Sequence, residues 1–257
     1  MIGSMKFQNT SSSFPSFGGV RGGSNYITKL IQQGEHQQQD FKYCISDSKK
    51  IARSLVAFAN TDGGRLLVGV KDNGRIAGVR SEEEYYMVDS AAKIYSKPEI
   101  AFSTKQHLID GKTVLEVIVE SSNEKPHYAR DEEGRWWAYF RKDDENRLAN
   151  KIMIEVWKQQ KSLEGILINY SEAEKCLLDY LENNEKISAS KYSRIAHLSY
   201  KKAEQTITNF RSLNILTDVF SDTRIDYAIN ESFDRKGWEH KAKQKNNTGQ
   251  IRLSKHI

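Results

Sequence analysis

The apolar positions of this chain change period several times, and each change marks an element. In NYITKLIQQGE, Ile27, Leu30 and Ile31 recur at helical spacing before Gly34, predicting a short helix. Phe41, Tyr43 and Ile45 then alternate in DFKYCI, as in a strand with one buried face. Asp47 or Ser48 caps a second helix, whose apolar stripe is Ile51, Leu55, Phe58 and Ala59, with Lys49, Lys50 and Arg53 mostly opposite. That helix is predicted to pack on a sheet. Asn60-Thr61-Asp62-Gly63-Gly64 supplies a tight reversal into a strand over 65–70, and Asp72-Asn73-Gly74 turns that strand into an antiparallel partner over 75–79. Ser81 and Glu84 stand at capping-box spacing before a helix that ends ahead of Pro98. Strands resume in IAFSTKQHLID, KTVLEVIVE and WWAYFRK, the first two joined at Asp110-Gly111, and a helix over about 148–161 closes the region. This succession predicts an α+β domain with helices against a largely antiparallel sheet.

From Tyr170 onward the pattern becomes helical. Ser171 and Glu174 make a second capping box ahead of Ala173, Leu177, Leu178 and Leu181; a helix fits SASKYSRIAH, and a third runs over about 199–213. ILTDVF, a turn at Ser221-Asp222, and RIDYAIN follow as a hairpin. Three helices and a two-stranded hairpin in some sixty residues predict a winged helix-turn-helix. The expected divisions are a flexible segment at 1–24 rich in Ser, Gly and Asn, a mixed domain at 25–162, the winged helix at 170–232, and a basic tail at 233–257.

Composition narrows the class. With 38% hydrophobic and 28% charged residues, the chain has material for a core and a solvated surface. It has no apolar run long enough for a membrane helix and no segment suited to a secretory signal, so a cytoplasmic location with no membrane partner is expected. Cys44 and Cys176 stand far apart without metal-ligand spacing and are read as small core hydrophobes. The net charge of +5 favours an anionic partner. Seven Lys or Arg from Arg235 onward face one acid, Glu239, so the whole excess falls in the tail.

The segments GEHQQQDFK, SLVAFANTDGGRLLVGVKDNGRIAGV and KPHYARDEEGRWWAYFRKDDENRLA together resemble the Schlafen-type Alba_2 domain, once labelled a divergent AAA domain, over about residues 30–160. The resemblance implies an Alba-like α+β fold and a nucleic-acid-binding module of bacterial transcriptional regulators, often joined to a winged helix. The ATP part of the old label finds no support in the residues. A phosphate loop needs GxxxxGK[ST], whereas this chain has Gly63-Gly64 followed by Arg65, so that pair is read as a turn and ATP is not expected. Some Schlafen proteins cleave RNA at an acidic triad. By resemblance, Glu35, Asp40 and Asp72 occupy its positions and would hold Mg2+ or Mn2+ through carboxylate oxygens, with Lys42 stabilising phosphate charge. The chain departs from that pattern at Asp40, where the enzymes carry glutamate, and at Lys71, where an acid commonly precedes Asp72. Solvated turn carboxylates are the competing account of the same residues.

In SYKKAEQTITNFRSL, Ala203, Ile207, Phe210 and Leu213 are expected to face the core, leaving Lys201, Lys202, Gln205, Thr206, Asn209 and Arg211 toward solvent. Gln and Asn pair with adenine edges, Arg with guanine and Lys with phosphate, and Arg224 in the wing is placed to reach a minor groove. In the aromatic run, alternation puts Trp137 and Tyr139 on one face and Trp136 and Phe140 on the other, so one pair is expected in the core and one exposed, against an alternative of the run as stacking platforms for unpaired bases. The preferred function is a DNA-binding transcriptional regulator acting as a homodimer and needing no cofactor. The alternatives are a Mg2+- or Mn2+-dependent endoribonuclease, with RNA as partner, and a protein-interaction adaptor.

Overall fold

The computed structural model describes residues 23–79, 81–162, 166–238 and 250–253. Most of the expected flexible segment and most of the basic tail lie outside the described residues. Helix α1 (Gly23–Gln32) forms where the apolar spacing predicts. Strand β1 (Gln39–Lys42) and strand β2 (Gly64–Val68) are parallel neighbours joined through helix α2 (Ser48–Asn60), because a crossover between parallel strands needs a helix-length connection. Asp47 caps α2, accepting from the Lys49 N–H at 2.8 Å. Helix α3 (Glu83–Lys93) ends ahead of Pro98, and a short strand β3 (Ser96–Lys97) follows. Strands β4 (Ser103–Ile109) and β5 (Lys112–Val119) form a hairpin at Asp110-Gly111, where both residues take positive φ. Pairing of β5 with β2 completes a sheet of order β1-β2-β5-β4.

Alternation along the strands sends side chains to both faces of this sheet. Phe41, Leu67, Val70, Ile109 and Val114 meet Ile27 and Leu30 of α1 on one side. Leu66, Val68, Leu115 and Val117 meet Leu55, Phe58 and Val88 of α2 and α3 on the other. Each such side chain contributes about 1.5–3 kcal/mol when fully buried, so the strand with parallel and antiparallel neighbours, β2, is held from both faces.

Several expectations need correction. The strand predicted over 75–79 is reduced to one bridge between Val70 and Ile76. Gly69 and Gly78 come together so closely that a Cβ on Gly69 would lie 2.8 Å from Gly78 backbone, and the Ala77 and Gly78 N–H groups both donate to the Gly69 carbonyl. WWAYFRK is divided at buried Ala138. Strands β6 (Tyr128–Arg130) and β7 (Trp136–Trp137) join β3 in a small sheet, whereas β8 (Tyr139–Lys142) pairs with β9 (Glu145–Leu148). Cys44 is exposed rather than a core residue, and Tyr43 beside it is exposed too, because β1 ends at Lys42 and the alternation ends with it. Cys176 is only partly buried.

Helix α4 (Lys151–Lys161) is capped by Asn150, which accepts from the Met153 N–H at 2.8 Å. Strand β10 (Ile166–Asn169) is followed by helices α5 (Glu172–Glu182), α6 (Ala189–Ile195) and α7 (Tyr200–Ser212). The antiparallel strands β11 (Leu216–Phe220) and β12 (Ile225–Ile229) come next, and β13 (Gln250–Leu253) returns to pair with β10. The Ser171–Glu174 capping box is present in full. Leu177, Leu178, Tyr192, Ile207, Phe210 and Tyr227 build the core of this part. Ile152 and Val156 of α4 belong to the same cluster, and so does Trp238, six residues past the expected boundary at 232.

Candidate functional site

Glu35 and Asp40 come together at the start of β1. Glu35 accepts the Phe41 N–H at 2.8 Å, and burial together with the adjacent Asp40 carboxyl raises its pKa above the ordinary glutamate value. Asp40 is 4% exposed. Its Oδ2 lies 2.7 Å from Lys42 Nζ and accepts from Ser54 Oγ at 3.4 Å, while its Oδ1 lies 3.7 Å from Arg141 Nη2. Arg141, 2% exposed, donates to Asn146 Oδ1 at 3.0 Å and to the Gln39 carbonyl at 3.2 Å, with its guanidinium 5.3 Å from the Phe58 ring centroid. Asn146 in turn donates to Ser54 Oγ at 2.9 Å. Arg141, Ser54 and Asn146 escaped the sequence reading because they reach Asp40 only through tertiary pairing; the hint was that Ser54 opens the second resembling segment and that Arg141 and Asn146 lie in the third.

Asp72 does not join this pair. It sits exposed in the turn that Gly74 closes by donating to the Lys71 carbonyl at 2.7 Å, the solvated-turn arrangement weighed against the triad. Among the described residues, no three His, Cys, Asp or Glu side chains gather to hold a metal ion. A divalent cation would also have to compete with Lys42 and Arg141 for Asp40, so the donor set does not fit Mg2+ or Mn2+. The Glu35–Asp40–Lys42 group acts instead as a charged clasp between β1, α2 and β8.

The Asn60-Thr61-Asp62-Gly63-Gly64 segment is a second clasp. Asn60 Nδ2 donates to the His127 and Tyr139 carbonyls at 2.9 Å, and the His127 N–H donates to Asn60 Oδ1 at 2.8 Å. The Arg141 N–H donates to Thr61 Oγ1 at 2.9 Å, and Lys125 Nζ to the Thr61 carbonyl at 2.9 Å. A Cβ on Gly63 would meet backbone of Val119 and Ser121 at 2.8 and 2.9 Å, and one on Gly64 would meet the Phe58 ring at 2.4 Å. Both glycines are therefore required by packing against the protein's own chain. A further buried cluster lies across the sheet, where Glu116 accepts from Tyr26 Oη at 2.9 Å and stands 2.9 Å from His107 Nε2 and 3.4 Å from Arg65.

The residues expected to face solvent on α7 divide into two sets. Lys201, Lys202 and Gln205 are exposed. Thr206 is buried and donates to Glu174 at 3.2 Å, Asn209 accepts from Gln159 at 3.0 Å, and Arg211 forms a two-point ion pair with Asp218 at 2.8 and 2.6 Å. The difference arises because α7 packs against α4 as well as its own core, so a second side of the helix is occupied. Lys151 pairs with Glu204, and Ser212 donates to Gln159. Arg224 is exposed but bonded to Asp226 at 3.0 Å. Arg235, counted with the basic tail, pairs with Asp179 and Glu182 of α5.

The expected division of the aromatic run into one buried and one exposed pair does not hold. Trp136 and Trp137 are 39% and 40% exposed, because β7 is an edge strand two residues long. Phe140, beyond the break at Ala138, is buried although Trp136, its expected partner on the same face, is exposed.

No helix among the described residues is long and apolar enough to cross a membrane. Among curated proteins no sequence matches this chain. The DIP2311 protein of Corynebacterium diphtheriae is similar in structure with a TM-score of 0.42 and 17% identity, covering 76% of this chain and 42% of its own length. The N-terminal domain of a RecG-related protein from Nitrosomonas europaea gives a TM-score of 0.36 and 22% identity, covering 51% of this chain and 97% of the domain. This chain thus spans less than half the length of the first of these proteins. The model of the family described as Schlafen, AlbA_2 matches residues 35–150, from the Glu35 end of the charged clasp to the Asn150 cap of α4. Residues 35–150 therefore belong to the Schlafen, AlbA_2 family.

Proposed function

We propose that this chain is a DNA-binding regulator, in which α5, α6, α7 and the β11–β12 hairpin act as a winged helix on duplex DNA beside the AlbA_2 domain. One observation carries the reading. From Lys186 to Ala203 the chain contains five Lys or Arg and no acid, and within that stretch Lys191, Arg194, Lys201 and Lys202 are exposed along α6 and the start of α7. Among the described residues, Arg194, Lys201 and Lys202 form no ion pair. Unpaired cations on one face are the electrostatic footprint of phosphate binding, and Gln205 beside them supplies an amide suited to an adenine edge. The adaptor reading would be favoured by an acidic or covered face, which this is not.

The test is retention of duplex DNA across a salt series. Binding that falls steeply with salt is the expected outcome, and retention that is absent at low ionic strength overturns the proposal. Incubation of labelled RNA and DNA pools with Mg2+ or Mn2+, wild type beside Asp40→Ala, addresses the nuclease alternative. The expected result is retention without cutting; cleavage lost in Asp40→Ala would replace the regulator with an endoribonuclease. Sedimentation is expected to show a homodimer, the assembly suited to a palindromic site.

A further inference from the structure

The outward face of the β3-β6-β7 sheet carries two rings and two cations. Register places Trp136 opposite Arg130 and Lys97 opposite Tyr128, so all four share one face, while Ala129 and Ser96 point inward and are buried. Trp136, Arg130 and Lys97 are exposed, and among the described residues neither cation forms an ion pair. A tryptophan left in water forgoes a large apolar gain, so its exposure asks for a partner.

The neighbouring residue holds this face in position. Trp137 Nε1 donates to Asp131 Oδ2 at 2.8 Å, and the Arg135 guanidinium lies over the Trp137 ring at 5.5 Å. Asp131 also receives Arg135 Nε at 2.9 Å and the N–H groups of Arg135 and Glu133 at 2.8 and 3.0 Å. Burial alone would raise the pKa of Asp131, but these donors outweigh it and hold the carboxyl well below the ordinary range. Strand β7 is thus anchored through Trp137, and Trp136 on the opposite side is presented with a fixed backbone.

We infer that this face binds a single-stranded oligonucleotide, with bases stacked on Trp136 and Tyr128 and phosphates drawn to Arg130 and Lys97. The partner follows from the combination: a ring with open faces suits any base, and unpaired cations beside it suit a polyanion, whereas an apolar peptide would leave both cations without a counter-charge. The inference rests on the nucleic-acid reading above but uses a different surface from α6 and α7.

The test is fluorescence anisotropy with unstructured oligothymidylate and oligouridylate of about 12 nucleotides, beside a duplex, with tryptophan emission recorded in parallel. Both single strands are expected to bind and to quench emission, the tighter one identifying the preferred sugar. Trp136→Ala is expected to weaken that binding about tenfold, within the span of a lost base stack, with Trp136→Phe recovering most of it. Arg130→Gln should flatten the salt dependence by about 0.7 in logarithmic slope. Duplex retention should stay unchanged in all three variants. Wild-type binding to duplex but to neither single strand overturns this inference and leaves the regulator standing. So does a Trp136→Ala variant with native circular dichroism and undiminished single-strand affinity. Trp136-dependent single-strand binding without duplex retention upholds the platform and overturns the winged-helix assignment.

Discussion

The cations around Asp40 and those along α6 and α7 are alike in type and opposite in circumstance. Lys42 and Arg141 are tied to a buried carboxylate, carbonyls and an amide, so their charge is consumed within the fold. Lys201 and Lys202 are exposed and form no ion pair among the described residues, so their charge is not consumed there. Residues that a motif would nominate for chemistry thus serve architecture, and residues that a motif would pass over as ordinary surface carry the binding proposal. Burial and pairing, rather than residue type, separate the two.

The sharpest way to break this comparison is Arg141→Met. If the guanidinium is architectural, its loss leaves buried Asp40 with Lys42 as its remaining cation, takes a donor from the Gln39 carbonyl and from Asn146, and costs about 3–5 kcal/mol, read as a fall in the denaturant midpoint. A folded variant of wild-type stability would place Arg141 with the ligand-facing cations instead. Gly64→Ala is the next largest. Its Cβ would collide with Phe58, so about 1–3 kcal/mol of stability should be lost, measured by thermal unfolding.

These interior positions also show how much was legible beforehand. Helices α2 and α5 could be placed because Asp47 and Ser171 cap apolar stripes of sufficient length, and both side chains do cap; α7 could be placed by its apolar spacing alone. The β4–β5 hairpin was legible from strict alternation around Asp110-Gly111. The parallel β1–β2 pairing was not, because nothing in either strand names its neighbour. The candidate site was legible only in fragments. Glu35 and Asp40 meet as the resemblance implied, but Asp72 stays in its turn, and Arg141 reaches Asp40 from about a hundred residues away, a contact that no local pattern encodes. On α7, Thr206 and Arg211 were misplaced because the helix was read with one buried side and has two.

The opposite side of the comparison is probed by Lys201→Gln with Lys202→Gln. Stability should be unchanged within about 0.5 kcal/mol, while the salt slope of duplex binding falls by about 0.9 for each lysine that meets a phosphate. Loss of stability without loss of slope would make these cations architectural as well. The smallest expected effect concerns pH. Burial lowers the His127 pKa, even though its ring nitrogens lie 3.0 Å from the Pro98 carbonyl and 2.7 Å from Ser122 Oγ. The unfolded chain therefore takes up a proton first. The stability contributed by neutral His127 is complete above its ordinary value of about 6.5 and is lost as pH falls from there toward the lowered folded value. His127→Gln should flatten that acid-side decline when denaturant midpoints are compared between about pH 7.5 and 5.5.

Helix α4 begins where the matched span ends at Asn150 and lends Ile152 and Val156 to the hydrophobic cluster built by α5, α6 and α7. Around it, Arg147 donates to the carbonyls of Ser221 and Asp222 at 2.5 and 2.8 Å, Asn150 bonds Tyr227 Oη at 3.1 Å, and the Phe140 and Phe220 rings lie 5.3 Å apart. A hinge in this protein cannot therefore be placed at the sequence boundary beside α4 without tearing an apolar seam. Through Arg147 the turn between β11 and β12 is bonded to β9, so a displacement of that hairpin must break these bonds or carry the strand with it.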